Sequence, residues 1–142
     1  MTIRAILQTK GNDIISVSSA TTLIAAVALL AEKRIGALPV IDGGRVVGIF
    51  SERDVLYGLA REGATLLTRQ VRDVMVDTPI TTTPDDTALD ALALMTRRRI
   101  RHLPVLDGDT PVGFISIGDL VKHRIEKIES EAAALRDYIT MS

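Results

Sequence analysis

The sequence predicts an α/β fold in which two copies of a β-α-β-β-α unit pack about a pseudo-twofold axis. The first observation is an internal repeat, because residues 15–56 align with residues 80–121 without a gap and sixteen of the 42 aligned positions are identical. The second is the helical spacing of apolar residues early in each copy. The third is a pair of apolar runs around Asp-Gly, which is typical of a β-hairpin. Since an internal repeat decides the fold, the two copies are expected to enclose a symmetric pair of clefts.

Each copy predicts the same order of elements. A short apolar strand comes first, at residues 14–17 and again at 80–82. A helix follows at residues 22–33 and 87–98, where apolar residues recur every three or four positions. Two strands then flank Asp42-Gly43 in one copy and Asp107-Gly108 in the other, and a second helix begins at Ser51 or Ser116. Residues 60–70 connect the copies, and residues 71–75 are expected to add a short helical turn.

Composition is typical of one globular domain. The chain has 142 residues, 46% of them apolar and 25% charged, and a net charge of −1. It has no cysteine, so disulfides and thiolate metal sites are excluded. The longest apolar run covers the nine residues 23–31, whereas a membrane span needs about 20. The N-terminus does not resemble a signal peptide, so we predict a cytoplasmic protein with no membrane partner.

The repeated pattern Leu-Pro-Val-x-Asp-Gly, followed by Val-Gly-x-x-Ser-x-x-Asp, resembles the CBS domain, named for cystathionine beta-synthase. The resemblance covers residues 14–121, and the chain is similar to short bacterial proteins made of one CBS pair, or Bateman module. It implies a single module over residues 1–142, with repeats at 7–62 and 72–126 and a helical extension at 127–142. It also implies two clefts that bind adenosine compounds such as AMP, ADP, ATP, NAD or S-adenosylmethionine.

The Ser-x-x-Asp elements, Ser51 to Asp54 and Ser116 to Asp119, have two interpretations. One is a capping box, in which serine and the acidic residue three positions later satisfy the start of a helix. The other is ligand binding, because a helix N-terminus suits phosphate and a carboxylate can accept both hydroxyls of a ribose. The resemblance favours binding, since it places the aspartate on ribose and the serine near phosphate. The two roles are compatible.

The resemblance assigns residues to each cleft. The first is expected to contain Ser51, Arg53, Asp54, Ala37, Ile80, Ile100 and Arg101, with adenine between the two isoleucines. The second is expected to contain Ser116, Gly118, Asp119, His102, Ile15, Ile35, Gly36 and Lys10, with the lysine near phosphate. Because Arg53 corresponds to Gly118, and Ala37 to His102, we expect the clefts to differ in ligand or in affinity.

Other patterns have ordinary interpretations. The run Arg97-Arg98-Arg99 is interpreted as a solvated helix end rather than a nucleic-acid surface, because stacking aromatics are nearly absent. Two histidines without cysteine leave no metal cluster. The absence of a Gly-x-Ser-x-Gly motif or a Cys–His pair argues against a nucleophilic enzyme. The sequence therefore predicts a regulatory module without catalytic activity, acting on an unknown downstream protein. The alternative is a structural dimerisation or adaptor module with unused clefts.

The C-terminal stretch predicts a long helix that continues to about residue 139. Its apolar residues are spaced alternately four and three apart, as in a heptad seam: Val121, Ile125, Ile128, Ala132, Leu135 and Ile139. The corresponding helix of the first copy is much shorter. We therefore expect a homodimer in which this seam contacts the partner chain.

Overall fold

The computed structural model describes residues 1–11 and 13–141 of the chain. The elements, in chain order, are α1 (Ile3–Lys10), α2 (Leu23–Lys33), β1 (Ala37–Asp42), β2 (Arg45–Ser51), α3 (Glu52–Glu62), α4 (Ala88–Arg98), β3 (His102–Asp107), β4 (Thr110–Ser116) and α5 (Ile117–Met141). Two short 3-10 helices, Gly63–Thr68 and Val71–Asp73, lie between the copies. The predicted α/β class and the two repeats are confirmed.

The two hairpins are copies of each other in register as well as in sequence. β1 pairs antiparallel with β2, and β3 pairs with β4 in the same way. Each ladder has one irregularity at the same place, after Val40 in the first and after Val105 in the second. Gly43 and Gly108 have φ values of 58° and 62°, a left-handed conformation that glycine adopts without strain. The Asp-Gly turns are therefore confirmed.

The predicted first strands of each copy are reduced to single parallel bridges. Val17 bridges Val40, and Thr82 bridges Val105. The Val17 N–H donates to the Pro39 carbonyl, and the Thr82 N–H donates to the Pro104 carbonyl. One step further toward the N-terminus, the parallel ladder would need the N–H of the same proline, which does not exist. The prediction of strands at residues 14–17 and 80–82 was therefore wrong, and the proline explains why.

Helices α2 and α4 begin and end alike. The side chains of Thr22 and Thr87 accept a backbone N–H of the first helical turn, from Ala25 and Asp90 respectively, as N-caps do. Each helix is followed by a C-cap arginine with left-handed backbone, and φ is 54° at both Arg34 and Arg99. This conformation costs a non-glycine residue about 1–2 kcal/mol.

The N-terminal helix α1, which the sequence analysis did not predict, packs against the second repeat. Ile3, Ile6 and Leu7 are buried in one core with Leu103 and Ile115. The segment that precedes the second repeat does the same for the first, where Leu66 and Val71 lie in the other core. Each repeat is therefore completed by the chain segment that precedes the other repeat.

We call residues 1–10 and residues 66–78 the exchanged segments, because each packs on the repeat that does not follow it. Hydrogen bonds show that the two segments are equivalent. The Ala88 N–H donates to the Met1 carbonyl, as the Leu23 N–H does to the Arg69 carbonyl, both at 2.9 Å. The repeated glycines of the hairpins admit these segments. A Cβ on Gly48 would lie 2.7 Å from the Val76 carbonyl oxygen, and one on Gly113 would meet the Leu7 side chain.

Helix α5 has 25 residues and extends beyond the fold, as predicted. Leu120 is its buried residue, whereas side chains further along, such as Leu135 and Tyr138, are exposed. None of the helices in the described part of the chain combines the length and the apolar character that crossing a bilayer would require.

Candidate functional site

The first cleft is a cavity of about 220 Å³ between the repeats. The first repeat contributes the end of β2 and the start of α3. The second contributes the segment before α4 and the residues that join α4 to β3. The lining residues are Gly36, Ile49, Ser51, Glu52, Arg53, Asp54, Val76, Thr78, Pro79, Ile80, Arg99, Ile100, Arg101 and His102.

The second cleft is a cavity of about 400 Å³ with the roles of the repeats exchanged. Here β4 and α5 contribute the serine and the aspartate, while the first repeat contributes the residues that join α2 to β1. The lining residues are Lys10, Asp13, Ile15, Arg34, Ile35, Gly36, Ala37, His102, Phe114, Ser116 and Asp119.

Most residues that the sequence analysis assigned to a cleft line that cleft. Ala37 is the exception in the first set, because the structure places it in the lining of the second cleft. Each cleft takes its aspartate from one repeat and its helix-to-strand segment from the other, and Ala37 belongs to the latter kind of segment. Its counterpart His102 follows the same rule in the first cleft, and it reaches the second as well. Gly118, expected in the second cleft, is exposed on α5 and lies outside the lining.

Asp54 lies in the first cleft at the third position of α3. The Ser51 N–H donates to Asp54 Oδ2 at 2.9 Å, and the Ser51 hydroxyl donates to the same oxygen at 3.3 Å. Burial raises the pKa of Asp54, and these hydrogen bonds and the charge of Arg53 oppose the shift without reversing it. The carboxylate of the first cleft is therefore a capping group whose charge the protein only partly compensates.

Asp119 lies at the equivalent position of α5, where its charge is compensated. The Ser116 N–H donates to Asp119 Oδ2 at 2.8 Å, and the Asp119 N–H donates to Ser116 Oγ at 3.1 Å. Lys10 adds an ion pair, with 2.7 Å between Nζ and Asp119 Oδ2, and also donates to the Phe114 carbonyl at 2.6 Å. Burial would raise the pKa of Asp119, but the hydrogen bonds and the charge of Lys10 outweigh it, so the pKa is lowered. Lys10 was expected to lie near phosphate. It instead pairs with the Asp119 carboxylate, the group that was expected to bind ribose.

An aromatic pair lies at the boundary of the two clefts. The rings of His102 and Phe114 are stacked, with centroids 5.5 Å apart and planes at 9°. Burial, followed by the charge of Lys10, lowers the pKa of His102 and so favours the uncharged ring. The order Ile49-Phe50 in the first copy is reversed to Phe114-Ile115 in the second, so phenylalanine is buried in one core and faces the cleft in the other.

Two lining arginines were missed by the sequence analysis. Arg99 was interpreted as part of a solvated helix end, yet it lines the first cleft, and Arg34 lines the second. The signal was available, since these residues form an identical pair in the repeat alignment. With these arginines included, the numbers of charged side chains in the linings differ between the two clefts. The first has three arginines against two carboxylates, whereas the second has one lysine and one arginine against two carboxylates.

The family follows from comparison with known proteins. The family model of the CBS domain matches residues 3–61 and 71–126. The mitochondrial CBS domain-containing protein CBSX3 of Arabidopsis thaliana is 35% identical over 123 residues, and the chain spans 60% of that protein's length.

Solved structures agree with this match. A CBS-domain containing protein from Agrobacterium tumefaciens has a TM-score of 0.84 at 34% identity, over 87% of this chain and 99% of that one. The CBS domain pair of protein MJ0100, in complex with 5'-methylthioadenosine and S-adenosyl-L-methionine, has a TM-score of 0.79 at 23% identity, over 89% of this chain and 98% of that one. The two ranges matched by the family model correspond to the two repeats, and the chain belongs to the CBS-domain family.

Proposed function

We propose that the protein is a regulatory module that binds adenine nucleotides in the two clefts and has no catalytic activity of its own. The observation that carries this proposal is the repeated aspartate, because Asp54 and Asp119 both line crevices formed jointly by the two repeats. A related fold in complex with 5'-methylthioadenosine and S-adenosyl-L-methionine supports an adenosine ligand. AMP, ATP and NAD are the candidates that the charges of the first cleft favour.

The chemistry of the first cleft fits each part of a nucleotide. Asp54 can accept hydrogen bonds from the two ribose hydroxyls, which would compensate a carboxylate that burial disfavours. Ile80 and Ile100 offer apolar surface to the base. Arg53, Arg99 and Arg101 provide guanidinium groups, which suit phosphate because they donate two parallel hydrogen bonds. A ligand held by both repeats can shift the equilibrium between their arrangements by its differential affinity for them.

The test is a thermal-shift and calorimetric screen of the wild type with AMP, ATP, NAD and S-adenosylmethionine. A true ligand at 100 times its dissociation constant stabilises the folded state by about 2.7 kcal/mol. We expect Asp54→Ala or Asp119→Ala to weaken binding at its own cleft by about 1.5–3 kcal/mol, as for hydrogen bonds to charged groups. Failure of all four ligands to bind would contradict the proposal.

The alternative, a structural dimerisation or adaptor module with unused clefts, has one observation in its favour, which concerns the second cleft. Lys10 already fills the place beside Asp119 that a ribose would need. If neither cleft binds a nucleotide while the protein still associates, the adaptor role is the better description. The cytoplasmic location and the existence of a downstream partner protein stay predictions in either case.

We also propose that the protein is a homodimer. Exposed apolar side chains recur at equivalent positions of the two repeats, as Ile24 and Leu89 on α2 and α4 and as Leu56 and Val121 on α3 and α5. They continue along α5 as Ile125, Ile128 and Leu135. An interface of this kind is self-complementary about a twofold axis.

Light scattering tests the homodimer on the full chain and on a chain ending at Lys122. The full chain is expected to have the mass of a dimer, and the shortened chain to dissociate at lower concentration. An unchanged dimer after truncation would remove the seam from the interface. A monomeric full chain would contradict the homodimer itself.

A further inference from the structure

The ion pair between Lys10 and Asp119 distinguishes the two clefts. Lys10 is the last residue of α1, and its ammonium group is held by the Asp119 carboxylate and the Phe114 carbonyl. In the first cleft the equivalent segment is residues 76–78, which contains no lysine or arginine. Asp54 correspondingly has no ion pair among those found in the described part of the chain.

The ammonium group would compete with a ribose hydroxyl for one of the two Asp119 carboxylate oxygens. Asp119 Oδ2 accepts both the Ser116 N–H and Lys10 Nζ, so a sugar hydroxyl directed at this oxygen must compete with a charged donor. The lysine can leave, because its side chain is 39% exposed and that of Asp119 is 26% exposed. A displaced ammonium group loses an anionic acceptor unless the ligand supplies another. Besides Lys10, the described lining of the second cleft has one permanently cationic side chain, Arg34.

We propose that Lys10 makes the second cleft selective for phosphorylated over neutral adenosine ligands, by exchanging its ion pair with Asp119 for one with the ligand's phosphate. This inference rests on the proposed function. The ribose hydroxyls take the place of the ammonium group on Asp119, and the phosphate receives it. A neutral nucleoside must break the same ion pair and offers nothing in return, so it binds poorly.

The test compares AMP with adenosine at the second cleft by titration calorimetry, in the Asp54→Ala variant, which weakens binding at the first cleft. Adding Lys10→Met, which keeps an apolar stem without the charge, should tighten adenosine binding but not AMP binding. The ratio of the adenosine to the AMP dissociation constant should fall about tenfold, the lower part of the range for a partly exposed charged hydrogen bond. Lys10→Arg, which restores a cation, should keep the ratio within about twofold of its parent, since twofold is well under 1 kcal/mol.

The control is Lys33→Met, which removes an equal charge from an exposed residue that lines neither cleft. It should leave the ratio unchanged. Equal weakening of AMP and adenosine by Lys10→Met would show that the lysine only supports the packing of α1, and an unchanged ratio would show no selectivity. Either result overturns the inference.

Two further outcomes separate the inference from the proposed function. If Asp54→Ala binds neither compound while the wild type binds AMP, the second cleft takes no adenosine ligand. The inference then fails and the proposed function stands for the first cleft. If the wild type binds neither compound nor any other adenine nucleotide, the proposed function fails as well.

Discussion

The matched aspartates predict opposite effects of the same substitution on stability. Asparagine is nearly isosteric with aspartate and can still accept the serine N–H through its amide oxygen, so Asp→Asn removes the charge and keeps the cap. At Asp119 the substitution breaks the ion pair with Lys10. At Asp54 it removes a charge that burial disfavours. In the ligand-free protein Asp119→Asn should therefore destabilise the fold, whereas Asp54→Asn should be neutral or stabilising.

The magnitude follows from the exposure of the pair. A hydrogen bond to a charged group contributes about 1.5–3 kcal/mol, whereas an exposed ion pair contributes about 0.2–1 kcal/mol. With side chains 39% and 26% exposed, the Lys10–Asp119 pair lies between these cases, so we expect a loss of about 1 kcal/mol. For a chain of this size that is a fall in Tm of about 3 °C. Asp54→Asn should change the free energy of unfolding by about 0–1 kcal/mol in the stabilising direction.

Urea unfolding followed by circular dichroism measures the free energy of unfolding of both variants. Its dependence on pH should have opposite signs at the two aspartates. Because the pKa of Asp119 is lowered by folding, its contribution is present above the unfolded pKa of about 3.9 and is lost as pH falls through the folded pKa. The deficit of Asp119→Asn should thus be constant near neutral pH and disappear in acid. The pKa of Asp54 is raised, so the wild type loses stability relative to Asp54→Asn as pH rises through that folded pKa.

Equal destabilisation by the two substitutions would refute this reasoning, because it would mean that capping alone determines what each carboxylate contributes. An Asp119→Asn variant as stable as the wild type would show that the Lys10 ion pair contributes nothing. As a control, Asp119→Asn combined with Lys10→Met should lose little more than Asp119→Asn alone, since the partner is already gone.

Two further predictions concern residues that are identical in the two repeats, a pair of glycines and an arginine. Gly48→Ala should destabilise by about 2–3 kcal/mol and Gly113→Ala by about 1–2 kcal/mol, because the new methyl meets the Val76 backbone in one case and the flexible Leu7 side chain in the other. Urea unfolding measures both, and the reverse order would contradict the packing described. Arg99→Gly should change stability by less than about 1 kcal/mol, since relief of the left-handed backbone offsets the entropy of glycine. It should weaken AMP binding at the first cleft about tenfold in calorimetry; unchanged binding would remove the arginine from the phosphate site.

The repeat made the fold predictable, because a pattern that recurs at a spacing of 65 residues must form the same element in both halves of the chain. The helices, hairpins and the pair of clefts follow from it. The repeat could not reveal α1, which lies before the aligned region and has a short, weakly apolar sequence. It also could not show that Pro39 and Pro104 stop a parallel ladder, because that depends on which carbonyl the preceding segment reaches.

The repeat likewise made some residues of the candidate site predictable and left others hidden. Asp54 and Asp119 were predictable because each ends a repeated motif, but their different environments were not. Lys10 reaches Asp119 across 109 positions of the chain, and only the packing of α1 on the second repeat brings the two groups together. Phe114 was missed because the repeat gives isoleucine at the equivalent place, and a swap of two neighbouring apolar residues leaves the pattern unchanged.

The exchange of segments between the repeats has a consequence for biosynthesis. The first half can complete its core once residues 69–75 have been made, whereas the second half needs the helix at residues 3–10, which is synthesised well before the rest of that core. That helix must stay unfolded or loosely attached until β4 and α5 exist, and closing so long a loop is slow compared with local folding. We expect nascent chains released before residue 116 to keep α1 accessible to protease. A helix made well before the second repeat would then be the last part of that repeat's core to find its place.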